Sequence, residues 1–325
     1  MRSRLAFVDL LRAACVLYIV GFWHLLNYTS ALPGYANPLS TRATVIVLGL
    51  FVFISGHLLG QQKLNPDRAG LSRFFTRRIT RIYPLYLGAL GLFWGAGLVD
   101  KLTAVKAALL VSMLYGPPPQ TLWFITMLLV FYCSAPALIL AAGQSARFAP
   151  LGASLMLILA TAVSLSPAAD ERIVIYFPAF VLGIHCAAPS RKRPRGALLS
   201  ALALLAVALS FMDTHSAEKS LFSIPLASLC PLWVFSLLER EAGRVPRSPV
   251  IETLSYASFA MYLIHRPLFS TLKSLYFPES GAGQLSYLVL ACLPAIFLCA
   301  WLVQKGYDTL LAFLRNRREV AAGVR

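Results

Sequence analysis

The 325-residue sequence predicts an all-α, polytopic integral membrane protein with about ten transmembrane helices and both termini in the cytoplasm. Three observations predict it. Ten apolar stretches approach the length needed to cross about 30 Å of hydrocarbon at about 1.5 Å per helical residue. Basic residues gather in alternate gaps between those stretches, while the intervening gaps are almost uncharged or hold acids, the positive-inside pattern. Hydrophobic residues make up 58% of the chain against 13% charged, a balance foreign to a soluble domain of this length.

The stretches run 5–26, 43–60, 82–99, 121–142, 149–166, 172–188, 196–212, 221–238, 251–271 and 284–303. With the N-terminus inside, the cytoplasmic parts are 1–6, 61–81, 143–148, 189–195, 239–250 and 304–325, which hold 21 of the 29 Lys and Arg residues. Two ribbons dominate them: Arg68, Arg73, Arg77, Arg78, Arg81, and Arg191, Lys192, Arg193, Arg195. The outer connections hold only Arg42, Lys101, Lys106, Arg172, Lys219 and Lys273, while Arg12 and Arg266 lie in or at the edge of helices. An even number of spans returns the C-terminus to the cytoplasm, with 304–325 a short tail. The segment 103–115 is too short and polar to span comfortably and reads as an interfacial or re-entrant piece. The whole of 1–325 reads as one transmembrane domain, without internal repeat or low-complexity tail.

The net charge of +16 sits in short juxtamembrane loops, where it meets anionic lipid first; this argues against a nucleic-acid partner. The first apolar run has no small-residue cleavage site and reads as a retained helix. Cysteines 15, 133, 186, 230, 292 and 299 form no CxxC pair and read as small core residues, neither a disulfide framework nor a metal site.

Chemistry resides in the polar residues that interrupt the helices. In FVDLLRAACVLYIVGFWHLLNY, Asp9 and Arg12 are three apart and can pair near the cytoplasmic end. His24 lies twelve residues further, about 18 Å along the helix, as a catalytic base or substrate ligand. The second helix ends FVFISGHLLG, where Ser55-Gly56 permits close helix contact and His57 is a candidate wall of the site. In RFFTRRITRIYPLYLG, Arg73, Arg77 and Arg81 are spaced four apart on one helical stripe, with Arg78 beside them and Pro84 where the chain enters the membrane. Guanidinium groups in that register suit a phosphate clamp for a donor such as acyl-coenzyme A. Late in the chain, LSYASFAMYLIHRPLF places Ser255, Ser258, Tyr262 and His265 in one helix, the last three sharing a face. Pro267 is expected to kink it, and Glu252, Trp123, Tyr132, Gln304 and Lys305 are weaker candidates.

Together these blocks, in their order, resemble the acyltransferase-3 family, integral-membrane enzymes that O-acylate bacterial polysaccharides and glycolipids. VDLLRAACVLYIVGFWH, FVFISGHLLG, RFFTRRITRIYPLYLG and SYASFAMYLIHRPL bear the resemblance; TLWFITMLLVFYCSAP, YFPAFVLG and QKGYD are weaker echoes. The resemblance implies transfer of an acyl group, most often acetyl from acetyl-coenzyme A, to a sugar hydroxyl at the bacterial cytoplasmic (inner) membrane, with no permanently bound cofactor. It implies catalytic roles for Arg12, His24, Asp9 and His265. The family's basic pattern matches Arg77, Arg78 and Arg81 and its late tyrosine matches Tyr262. With Arg73 these arginines are the donor-binding candidates, and Tyr262, Ser258, Trp123 and His57, which stands where the family usually has a bulky apolar residue, are the acceptor-binding ones.

Two departures stand out. Eleven residues separate Arg12 from His24 where the family commonly has ten, which rotates the histidine by about 100° unless a π-bulge absorbs the extra residue. Many members also place a glutamate five or six residues after the tryptophan, where Leu128 and Leu129 stand here. In the expected mechanism the arginines hold the phosphates of coenzyme A. Arg12, paired with Asp9, positions the donor or stabilises the oxyanion, and a histidine moves the proton of the acceptor hydroxyl, either as the sugar attacks directly or by way of a histidine-borne acyl intermediate that carries the group outward. The rival reading is a transporter or flippase for a lipid-linked sugar; it calls for inverted repeats with broken helices, which the chain lacks.

Overall fold

A computed structural model describes residues 6–188, 196–213, 217–245 and 247–323. The second basic ribbon, Arg191, Lys192, Arg193 and Arg195, lies outside the described residues, among which there is no strand. All ten apolar stretches are helical. The helices are α1 (Ala6–Val16) continuing into π turns over Leu17–His24, α2 (Pro38–Gly60), α3 (Arg68–Gly95), α4 (Lys101–Ala108), α5 (Trp123–Ala142) and α6 (Ser145–Leu165). There follow α7 (Arg172–Cys186), α8 (Gly196–Leu209), α9 (Ile224–Arg240), α10 (Pro249–Leu275), α11 (Gly281–Tyr287), further π turns over Leu288–Cys292, and α12 (Leu293–Gly323).

Among the described residues, six helical segments are long and apolar enough to cross a membrane: 6–24, 38–60, 123–142, 146–165, 221–240 and 281–317. Their outer faces are apolar too. On α6, Leu157, Ile158 and Leu165 are more than 60% exposed, which water would penalise and lipid does not. The chain is a multi-pass membrane protein. Helices α7 and α8 are shorter, at 15 and 14 residues, and α3 and α10 are long but interrupted by charge.

Two boundaries differ from the hydropathy reading. Helix α3 starts at Arg68, well before the apolar stretch at 82, because Asp67 caps it by accepting from the Gly70 amide at 2.6 Å. Arginine favours helix, so the basic ribbon is helical and Pro84 sits inside the helix without ending it. The expected tail is also helical, since α12 runs on to Gly323. The stretch 103–115 holds only the end of the eight-residue α4 and turns, pinned by Tyr83 and Tyr86, whose hydroxyls donate to the carbonyls of Ala108 and Ala107.

The chain divides into two compact units, Met1–Pro33 with Pro246–Arg325, and Gly34–Val245. In the larger, α2 packs on α7 and α9 at backbone distance. A Cβ on Gly56 would lie 2.3 Å from the Phe180 carbonyl oxygen, and one on Gly183 would lie 2.2 Å from that of Phe53. Only glycine permits such an approach, the small-residue packing of membrane helices. In the smaller unit, α1 and its π turns, α10 and the α11–α12 stretch pack together. Gln284 ties the end of the first helix to α11, its Oε1 accepting from the Thr29 hydroxyl and the Ser30 amide, both at 3.1 Å.

Candidate active site

Within the smaller unit, α1 and α10 lie side by side and parallel, because their partners advance together. Ser255 Oγ donates to Asp9 Oδ1 at 2.6 Å, Arg12 Nη2 donates to Ser258 Oγ at 3.0 Å, and His24 meets His265 further on. Ser258 Oγ in turn donates to the Ser255 carbonyl at 2.7 Å. Asp9 is 3% exposed, so this carboxylate depends on its partners for the solvation that water would otherwise supply. The helix register explains the arrangement: Asp9 and Arg12 are one turn apart on α1, Ser255 and Ser258 one turn apart on α10.

Beyond Arg12 the helix widens. Leu17–His24 form π turns, which accommodate one residue more than α turns, at the place where the spacing to His24 is one residue long. His24 thereby faces α10. Its Nδ1 lies 2.9 Å from Nε2 of His265. The ring planes are within 9° of parallel and the centroids 4.9 Å apart, so the centroid spacing exceeds the N···N distance by 2.0 Å. The rings therefore meet edge to edge, through a hydrogen bond, with no face-to-face overlap.

That contact assigns the protons. Nδ1 of His265 lies 2.8 Å from the Tyr262 carbonyl oxygen, which only accepts, so Nδ1 bears the hydrogen. In a neutral ring Nε2 of His265 then has the lone pair, and the donor to it is Nδ1–H of His24. The remaining nitrogen, His24 Nε2, then bears a lone pair. His265 has no exposed surface, while His24 is partly exposed, so the open nitrogen belongs to the accessible ring. Tyr262 is buried beside His265, ring centroids 5.8 Å apart.

The two clusters on α10 sit at different levels. Ser258 and His265 are seven residues apart, about 10 Å along the helix. Arg12, bound at the Ser258 level, is thus set back from the dyad, and the cation closer to both imidazoles is Arg266, which interacts electrostatically with each and with Tyr28. Sequence reasoning placed Arg266 at a helix edge and gave it no role; its position directly after His265 was the available signal. Asp308 of the QKGYD segment was also missed. It accepts from the Tyr256 hydroxyl at 2.7 Å and from Gln304 Nε2 at 3.3 Å, bracing α12 against α10.

The α3 arginines, His57 and Trp123 belong to the larger unit. Arg73, Arg77 and Arg81 are exposed along one stripe of α3, as their spacing requires, and Arg78 is half-buried over the Phe74 ring. Burial lowers the Arg78 pKa below the ordinary arginine value; Tyr132 opposes this, and the neighbouring Arg81 and Arg77 add to it. An anion beside the ribbon would relieve that crowding of like charge. His57 is buried between Phe53 and Phe235, with the Gln61 amide 2.9 Å from its Nε2. Trp123 is buried under the Arg172 guanidinium, 3.8 Å above its ring, which a salt bridge to Asp170 holds in place. Leu128 and Leu129, where many members have glutamate, are buried apolar residues. Among the described residues no group of three His, Cys, Asp or Glu converges as a metal site.

Helices too apolar for water, with a buried carboxylate, a guanidinium and a histidine dyad gathered on two of them, define a membrane-embedded protein with a polar cluster inside its helical packing. The chain belongs to the acyltransferase-3 family: the family's profile, described as an acyltransferase domain, matches residues 5–304, nearly the whole chain. No curated protein and no solved structure matches it.

Proposed function

We propose that this acyltransferase moves an acyl group, acetyl in the first instance, from acyl-coenzyme A to a hydroxyl of a cell-surface polysaccharide or glycolipid. It works in the bacterial cytoplasmic (inner) membrane, through ten spans with both termini inside. The observation that supports this most is the dyad: a partly exposed histidine whose open nitrogen is fixed by a buried second histidine, in a chain of an acyltransferase family.

In the reaction, His24 Nε2 accepts the proton of the acceptor hydroxyl as its oxygen attacks the thioester carbonyl carbon. The carbon–sulfur bond then breaks, and His24 returns the proton to the leaving thiolate, giving an O-acyl ester and a free thiol. As His24 becomes cationic its Nδ1–H bond to His265 strengthens, so His265 assists without touching substrate; it is a positioning residue. Arg12 and Asp9, held by Ser258 and Ser255, set the bearing of α1 against α10, and Arg12 guides the donor. Arg266, next to both rings, is better sited than Arg12 to meet the oxyanion. Arg73, Arg77, Arg78 and Arg81 hold the phosphates of coenzyme A, while Ser258 and Tyr262 contribute to the acceptor's binding. The enzyme needs no resident cofactor.

The test is thiol release and label transfer from radiolabelled acetyl-coenzyme A by the purified full chain in detergent, compared with succinyl- and longer acyl-coenzyme A. Saturable turnover with at least one donor is expected. Folded protein that binds none of them would overturn the donor assignment.

A further inference from the structure

Next to the dyad, three side chains form an arrangement that proton transfer does not require. Arg266 and Lys273 are seven residues apart on α10, two helical turns, and so lie on one stripe of the helix. Both reach the same residue, Tyr28, four positions after His24. Arg266 interacts electrostatically with Tyr28, and Lys273 Nζ lies 5.1 Å from the Tyr28 ring centre and 4.4 Å from that of Phe277. Both cations thus act on Tyr28. Tyr28 also packs on Phe269, ring centroids 5.0 Å apart, giving an aromatic shelf that begins one helical turn beyond His265.

Among the described residues no carboxylate lies within salt-bridge distance of Lys273. Two like charges acting on one tyrosine, partly shielded from water, favour an anionic ligand. Aromatic rings beside them suit the apolar face of a sugar ring. An apolar helix end anchored to lipid needs only one snorkelling cation, and it need not converge with a second on one tyrosine.

We infer that Arg266, Lys273 and Tyr28 form an acceptor subsite for an anionic saccharide, one bearing a carboxylate or a phosphate, whose reacting hydroxyl then lies against His24. This deepens the proposed function and rests on it. The carboxylate would come from an acidic sugar and the phosphate from a lipid-linked sugar; an oxyanion between two cations is common to both.

The experiment measures binding to the full-length protein in detergent of three probes: methyl glucoside, methyl glucuronoside and farnesyl-phosphate-linked glucose, with farnesol as control for the lipid tail. The wild type is compared with Lys273→Met, which keeps the packing stem, and with Arg266→Gln, each checked for an unchanged melting temperature. At least one anionic probe should bind about tenfold or more tightly than the glucoside, as expected for charge-assisted hydrogen bonds. That advantage should shrink at high salt and in Lys273→Met. Preference for the glucuronoside would assign an acidic sugar, and preference for the phosphate would assign the lipid carrier. Equal binding of charged and neutral probes, or an advantage untouched by Lys273→Met, would overturn the proposal. Thiol release from acetyl-coenzyme A, run on the same wild-type protein, separates the two claims. Turnover without anion preference removes the subsite alone, and anion preference without turnover removes the donor assignment alone.

Discussion

Replacing His265 tests the dyad from the side that substrate does not touch. In His265→Leu the buried Nδ1–H of His24 loses its acceptor, now 2.9 Å away. A buried donor left without a partner costs about 1–3 kcal/mol, and the bond is worth more once His24 is charged. At about 1.4 kcal/mol per decade, the turnover number should fall roughly 10- to 100-fold. KM for the acyl donor should change little, because the lost bond strengthens only as the proton moves. His265→Gln, whose side-chain oxygen accepts from the same Nδ1–H, should recover about tenfold of the loss. The decisive comparison is a double-mutant cycle read by initial rates of thiol release. His24→Ala removes the base, a loss of about 10²–10⁴. In that background His265→Leu should add almost nothing, since the bond it removes is already gone. Equal losses from His265→Leu with and without His24, or no rescue by glutamine, would refute the dyad.

Other consequences are equally direct. Arg77→Ala with Arg78→Ala should raise KM for acyl-coenzyme A about tenfold or more in a salt-dependent way and leave the turnover number nearly intact; the reverse pattern would count against a phosphate clamp. Gly56→Ala puts a Cβ 2.3 Å from the Phe180 carbonyl oxygen and should destabilise the fold by about 1–3 kcal/mol, seen as a lower melting temperature in detergent; no change would mean that α2 and α7 can separate freely. Deleting Leu17 leaves ten residues between Arg12 and His24 and lets the π turns relax to α, so activity should survive within about tenfold. Deleting Leu17 and Tyr18 together turns His24 by about 100° from His265 and should abolish activity, and equal damage from the two deletions would contradict the register argument.

Much of this architecture was legible in the chain because membrane insertion writes a strong signal. Apolar runs mark helices wherever backbone groups must be satisfied within lipid, and every one of the ten runs is helical. The π turns were legible in a subtler way, through a one-residue excess between Arg12 and His24. Charged helices were less readable: α3 over Arg68–Arg81 and α12 beyond Gln304 look like loops to hydropathy, although arginine, lysine and glutamate favour helix. Least readable were contacts across long separations. His24 and His265 were each conspicuous as intramembrane histidines, yet their hydrogen bond spans 241 positions and no periodicity encodes it. Tyr28 offered no chemical signal of its own; only its place between Arg266 and Lys273 gives it one. His57 was conspicuous for its type, but its contact with Phe235 on another helix is one that helix spacing alone does not encode.

The most direct test follows radiolabelled acetyl from acetyl-coenzyme A in membranes containing the wild-type chain or His24→Ala, with expression and melting temperature matched. The account predicts label in an alkali-labile ester on saccharide or glycolipid with the wild type, and none above background with His24→Ala. Label transferred equally well by His24→Ala would contradict it, because the proton would then have no need of the one open nitrogen in the dyad.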